Sequence, residues 1–215
     1  MKPKPILFST SMVTALLDGR KTQTRRVVKP QPIGEVSQDR EGNYGEHYGG
    51  GVELLKPRYQ LGDILWVRET WGIQQYMGGS PVNGAPADPN YIYKASDDLP
   101  DTFSYAYDAW KPSIHMPYAA ARIFLRVTDV RVERLQDITK ADALAEGCDG
   151  RGDGPSSGCS GSLSVKGYDF SVEAFETLWD SLNAKRGFAW DSNPFVLVYE
   201  FERCEKPQGQ GVNDE

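Results

Sequence analysis

The chain is poor in the side chains that most metal and redox chemistry needs. Among its 215 residues there are two histidines and three cysteines. Cys148, Cys159 and Cys204 fall at no metal-ligand spacing, which argues against a structural zinc site of the usual Cys/His kind. A zinc deaminase is unsupported too, since its His-x-Glu and Cys-x-x-Cys signatures are missing. Cys148 and Cys159 stand close enough in sequence to meet, but the odd count indicates no disulfide framework, and the expected compartment is a reducing cytoplasm. No run approaches the roughly 20 apolar residues of a membrane helix, and no membrane partner is expected. Ile6-Leu7-Phe8 behind Lys2 and Lys4 is too short for the core of a signal peptide. No Gly-x-x-x-x-Gly-Lys phosphate loop is present. The glycine-rich stretch 147–161 lacks the strand-to-helix context of a dinucleotide fold. Neither metal nor cofactor is expected.

Positive charge is also in deficit. The net charge is −6, which argues against a general nucleic-acid coat protein. The deficit is uneven. Residues 1–30 hold seven Lys or Arg against Asp18 alone and carry +6, leaving −12 on the remaining 185. A local cationic patch on an acidic body suits a small anionic or polar ligand better than a long polyanion; a solvated basic strand is the plainer alternative. Hydrophobic residues make up 39%, enough for a core with no surplus.

What is present reads as α+β. The residue pattern predicts strands at 5–9, 21–29, 64–71, 91–93, 113–116, 122–135 and 194–201. Helices are predicted after Ser9, from Met12, Leu16 and Leu17 with Gly19 as the stop, at 137–146 behind a Thr139-x-x-Asp142 start, and at 171–184. There is no βαβ rhythm and no internal repeat, so a small curved sheet or barrel carrying helices is expected. One domain over 1–204 is expected, with insertions near 31–60, 72–112 and 147–167 and a disordered tail at 205–215.

The most informative segment is Gly19-Arg20-Lys21-Thr22-Gln23-Thr24-Arg25-Arg26. A threonine hydroxyl is a poor nucleophile until a base takes its proton. A lysine can be that base only with a lowered pKa, and desolvation or neighbouring cations such as Arg20, Arg25 and Arg26 lower it. In an ideal strand residues 21 and 24 face opposite sides, so the pair requires a turn or bulge between them. An exposed basic edge strand would read the same way. Glu146, at the end of a short helix before Gly147, is misplaced for the helix dipole. It is either solvated or held by a cation such as Lys21; if buried, its carboxyl is a candidate proton donor.

Gly19-x-Lys21-x-x-Thr24-x-Arg26 resembles the opening motif of the ASCH domain family, a branch of the PUA-like β-barrels. Gly62-Asp63-x-Leu65, and the 122–135 strand with the 139–146 helix, resemble its next elements. The broad family usually carries Glu where this chain has Thr24. The family's bacterial amidohydrolases, which remove the acyl group from N4-acetylcytidine, are similar in having Lys and Thr at these positions and a Glu on the helix after the long strand; aligned from Thr139, that Glu is Glu146. Those enzymes are about half this length. The whole chain is more similar to a longer phage and prophage group that shares Trp66-Val67-Arg68-Glu69-Thr70-Trp71 and the 112–117 segment around His115.

The resemblance implies a PUA-like small barrel of about six strands and a metal-independent amidohydrolase acting on N4-acylated cytosine nucleosides or nucleotides. Lys21 would be the base, Thr24 the nucleophile or the group that orients water, and Glu146 the acid. Arg26 would stabilise the oxyanion. Trp66 and Trp71 would stack a base or fill the core. Glu69 would accept from a ligand amine or pair with Arg68 or Arg122, and His115 would be structural or bind substrate. The rival expectation is a non-catalytic module for RNA or single-stranded nucleic acid; an ASCH-type ribonuclease is the third.

Overall fold

The computed structural model describes residues 2–39, 43–48, 51–76, 90–96, 105–107, 109–148 and 171–207. The fold is α+β. Its centre is a five-stranded sheet in the order β1-β6-β10-β11-β2, built from β1 (Lys4–Leu7), β2 (Gln23–Val27), β6 (Ile64–Arg68), β10 (Phe124–Arg134) and β11 (Phe195–Cys204). β1 and β6 run parallel, and the remaining pairings are antiparallel. No closed barrel is found among the described residues; β1 and β2 stand at the two ends of the sheet.

Period-two alternation on β11 explains the layers. Leu197, Tyr199 and Phe201 face one side, where they join Phe8, Val13, Leu16, Val67, Leu125 and Val127 in the main core under α1 (Thr10–Leu17). Val196 and Val198 face the other, against Leu135, Phe175 and Trp179, beneath α2 (Lys140–Ala145) and α3 (Ser171–Asn183). The strand is therefore covered on both faces. Pairing carries the same parity onto β2: Thr24 and Arg26 lie opposite Tyr199 and Leu197, while Gln23 and Arg25 lie opposite Glu200 and Val198.

The expected insertions carry strands of their own. In 31–60, β3 (Glu35–Gln38), β4 (Tyr44–Tyr48) and β5 (Gly51–Leu54) make an antiparallel sheet, and in 72–112, β7 (Trp71–Tyr76), β8 (Asn90–Tyr93) and β9 (Tyr105–Tyr107) make another. Polar, glycine-rich composition hid the first, since hairpin strands exposed on one face need little apolar alternation; in the second, the strand expected at 91–93 is β8, and β7 beyond Trp71 and β9 were not anticipated. The count of about six strands is corrected accordingly. So is 113–116, which forms a 3-10 turn over Ser113–His115 rather than a strand, because two prolines flank it and Pro cannot donate to a ladder. Most of the 147–167 segment, and the tail from 208, lie outside the described residues. Cys148 is disulfide-bonded, which the odd cysteine count did not signal; Cys204 is free.

Candidate functional site

Lys21 is placed by the end of α1. Gly19 adopts φ +74°, a left-handed conformation that costs glycine little. The N–H groups of Arg20 and Lys21 both return to the Ala15 carbonyl, and the chain turns before β2 begins at Gln23. Lys21 therefore precedes the strand, and the opposite-face objection to a 21/24 pair does not apply.

Glu146 is placed by α2. Thr139 and Asp142 form the expected reciprocal capping box, and Glu146 is the C-cap. Gly147 follows at φ +90°, where a Cβ would stand 3.0 Å from the Ala15 Cβ and 3.4 Å from the Lys21 Cβ. That close approach, with Thr22 N–H donating to Ala145 O at 2.8 Å, fastens the end of α2 onto the turn after α1.

The two side chains meet. Lys21 Nζ donates to Glu146 Oε2, to the Glu146 carbonyl and to the Gln23 carbonyl, each at 2.9 Å. Three acceptors engage all three donors of an ammonium. Lys21 also serves the helix electrostatically, since a cation on the last carbonyls offsets the carboxylate at a dipole-negative end. Glu146 Oε1 accepts from Arg25 at 3.3 Å. The lysine and glutamate side chains are 0% and 4% exposed. Burial pushes the Lys21 amine below its ordinary value; Glu146 opposes this, and Arg26 and Arg25 add to it.

Thr24 is buried on the α1 face of β2, 1% exposed, one peptide from the carbonyl that Lys21 holds. Among the described residues no hydrogen bond links its hydroxyl to Lys21 or Glu146. Phe8 contacts the residues on either side of it: the Lys21 Nζ and the Arg26 guanidinium are each 5.5 Å from its ring centroid. Arg26 also donates to the Leu7 carbonyl at 3.0 Å.

Phe8 and Arg26 line a cavity of about 620 Å³, within the range of ligand pockets. Lys21, Thr24 and Glu146 do not line it, so the Lys21–Glu146 pair is closed behind Phe8 in this structure. Arg25, Arg26, Lys29, Arg58, Arg68 and Arg186 line the cavity, and among the described residues no carboxylate does.

The remaining expected residues divide. Trp66 lines a smaller cavity of about 280 Å³ beside Arg68, Met116 and Tyr118, with Tyr118 edge-on at 5.5 Å. Trp71 is buried apart from it, against Met116 and Ala120. Glu69 makes a two-pronged pair with Arg122, both contacts at 2.9 Å, and is 1% exposed. The Arg122 pairing weighed from sequence is thus the one found. His115 is exposed on its 3-10 turn and lines neither cavity.

Sequence reading missed Arg25 as a structural hub. It reaches Glu133 at 2.5 Å, Glu146 at 3.3 Å and Asp142 at 3.6 Å and lies 5.7 Å from the Phe175 ring. The available signal was parity: Arg25 shares a face with Gln23 and Val27, the side that α2 covers. Nothing in the sequence places Arg58 and Arg186 beside Arg26. No family model, no curated protein and no solved structure matches the chain.

Proposed function

We propose that the protein is an amidohydrolase that removes the N4-acyl group from an acylated cytosine nucleoside or nucleotide, on an ASCH-type, PUA-like scaffold. The observation that carries this reading is the buried contact between Lys21 and Glu146, residues far apart in the chain that converge one peptide from Thr24. The scaffold assignment draws support from the Gly19 to Arg26 motif at the start of an edge strand and from the helix that delivers Glu146 after the long β10 strand.

The chemistry follows from the pair. One proton passing from the Lys21 ammonium to the Glu146 carboxylate leaves a neutral amine and a carboxylic acid, and burial of Lys21 favours its neutral amine. The amine takes the Thr24 proton as Oγ1 bonds to the acyl carbon. Collapse of the tetrahedral species breaks the C–N4 bond while Glu146 gives its proton to the departing cytosine. Water cleaves the threonyl ester, releases the carboxylic acid and restores the hydroxyl. Arg26 and backbone N–H groups stabilise the oxyanion. Substrate entry requires Phe8, which touches Lys21 and lines the cavity, to yield.

The test is turnover of N4-acetylcytidine followed by the ultraviolet change to cytidine, with Lys21→Ala, Thr24→Ala, Thr24→Ser and Glu146→Gln. Loss in the first, second and fourth with partial retention in Thr24→Ser supports the assignment. Turnover indifferent to all four removes it. A second reading, a non-catalytic module for RNA or single-stranded nucleic acid, is favoured by the closed Lys21–Glu146 pair beside a cavity lined by cations and, among the described residues, no carboxylate. Salt-sensitive RNA binding without turnover on any acylated cytosine selects it.

A further inference from the structure

The cations of the large cavity are gathered without carboxylates, Arg26 and Arg68 half-buried and Lys29, Arg58 and Arg186 exposed. Elsewhere, buried or half-buried arginines are matched by carboxylates: Arg122 by Glu69, and Arg131 by Asp129, Glu133, Asp142 and Glu200. Around the cavity only Arg25 is matched in this way. Arg26, Lys29, Arg58, Arg68 and Arg186 have no carboxylate within salt-bridge distance among the described residues. The partners of four of them are carbonyls and rings. Arg26 holds the Leu7 carbonyl and Arg68 the Ile114 carbonyl. Lys29 stands over Phe188 at 5.1 Å, Arg58 over Tyr59 at 5.6 Å and Arg68 over Trp66 at 5.3 Å. Among the described residues, five cations without a carboxylate partner line one concavity of a protein whose net charge is −6.

Like charges gathered on one concavity raise the local positive potential, which favours an anion there. Burial already pushes the Arg26 guanidinium below its ordinary value; Glu146 opposes this and Arg58 adds to it. The walls are also partly apolar, with Leu7, Ile114 and Leu182 lining the cavity while exposed at 45%, 56% and 44%. Flat apolar surface beside guanidinium forks fits a base joined to a phosphate better than a bare inorganic ion.

We propose that this cavity binds the phosphate of a cytosine nucleotide, with Arg58, Arg186 and Lys29 at its mouth as the phosphate contacts and Arg26 directing the base toward Phe8. The choice of cytosine rests on the amidohydrolase reading; the phosphate does not. The phosphate belongs either to a mononucleotide or to a strand, and the two are separable by experiment.

Calorimetry of the full chain with non-acylated ligands tests the site apart from catalysis. Cytidine 5′-monophosphate should bind on the order of tenfold more tightly than cytidine, the scale of charge-assisted hydrogen bonds. The difference should shrink as salt rises. Arg58→Gln and Arg186→Gln should each remove most of it, while Arg203→Gln, exposed on β11 away from the cavity, should not. A short oligocytidylate that binds more tightly than the mononucleotide, with a steeper salt dependence, identifies a strand as the source; equal affinity identifies the mononucleotide. Equal affinity for cytidine and its monophosphate, or a preference untouched by both arginine changes, overturns the proposal. Phosphate preference without turnover of any acylated cytosine removes the amidohydrolase reading and leaves the site. Turnover of N4-acetylcytidine without phosphate preference does the reverse.

Discussion

The Lys21 ammonium lies 2.9 Å from Glu146 Oε2, and neither side chain is more than 4% exposed. A pair this deep gives up hydration on both sides, so its worth depends on completeness. Here it is complete: every Lys21 donor is taken, and the second carboxylate oxygen meets Arg25.

Removing one partner should therefore cost far more than removing both. Glu146→Ala leaves Lys21 uncompensated and should lower unfolding free energy by about 3–5 kcal/mol. Lys21→Met combined with Glu146→Leu should recover much of that, because Arg25 keeps Glu133 and Asp142. Urea denaturation of the single and double variants measures the difference. A double variant no more stable than Glu146→Ala would show that the pair does not act as a unit.

Lys21 also predicts a pH dependence. Its folded pKa lies below the ordinary 10.5, with burial the leading cause. Between the lowered value and 10.5 the unfolded chain binds more protons than the folded one, so stability rises with pH across that window. Below the lowered value both states are protonated and the cost of burying the charge is present in full. Unfolding midpoints taken toward pH 10.5 should thus rise in the native chain relative to Lys21→Met. Parallel curves would contradict the direction of the shift.

How much of this was legible in the sequence depends on which interactions are local. The α1 stop at Gly19, the Thr139–Asp142 capping box and the alternation of the last strand are written in neighbouring residues, and each stands in the structure. Glu146 was legible as a conflict, a carboxylate at the wrong end of a helix, which implies a distant cation without naming it. Lys21 was legible only beside Thr24. The cavity was not legible at all: Arg26, Arg58 and Arg186 come from β2, the segment before β6 and the turn after α3, and their convergence is a property of the sheet order. The strands in 31–60 were missed because polar hairpins resemble loops in composition, while in 72–112 only β8 was legible, from Tyr91-Ile92-Tyr93.

Asp142 should give the molecule an acid-sensitive joint. Burial would raise its carboxyl, but the side-chain and backbone hydrogen bonds from Thr139, the Gln23 amide and nearby Arg25 outweigh burial and hold it below 3.8. A lowered folded pKa contributes stability that is fully present above 3.8 and is lost as pH falls through the folded value. Asp142→Asn should lower stability at neutral pH and lose less on acidification. Thermal unfolding at neutral pH and below 3.8 checks both signs together; a variant that loses as much as the native chain would remove Asp142 from the acid response.

Gly147 joins the fold to the candidate chemistry, and comparison with Gly19 separates its two roles. Both glycines have positive φ, +74° at Gly19 and +90° at Gly147. At Gly19 an added Cβ meets nothing within 4 Å, whereas at Gly147 it meets Ala15 Cβ at 3.0 Å and Lys21 Cβ at 3.4 Å. Gly19→Ala should therefore cost only the left-handed backbone penalty, about 1–2 kcal/mol. Gly147→Ala should cost that and also push α2 away from the α1 turn. A displacement of a few tenths of an ångström there stretches the 2.9 Å Lys21–Glu146 bonds, so the proposed deacylation should fall more in Gly147→Ala than in Gly19→Ala even where both remain folded. Equal losses of activity in the two variants would mean that the contact between the helix ends does not position Glu146.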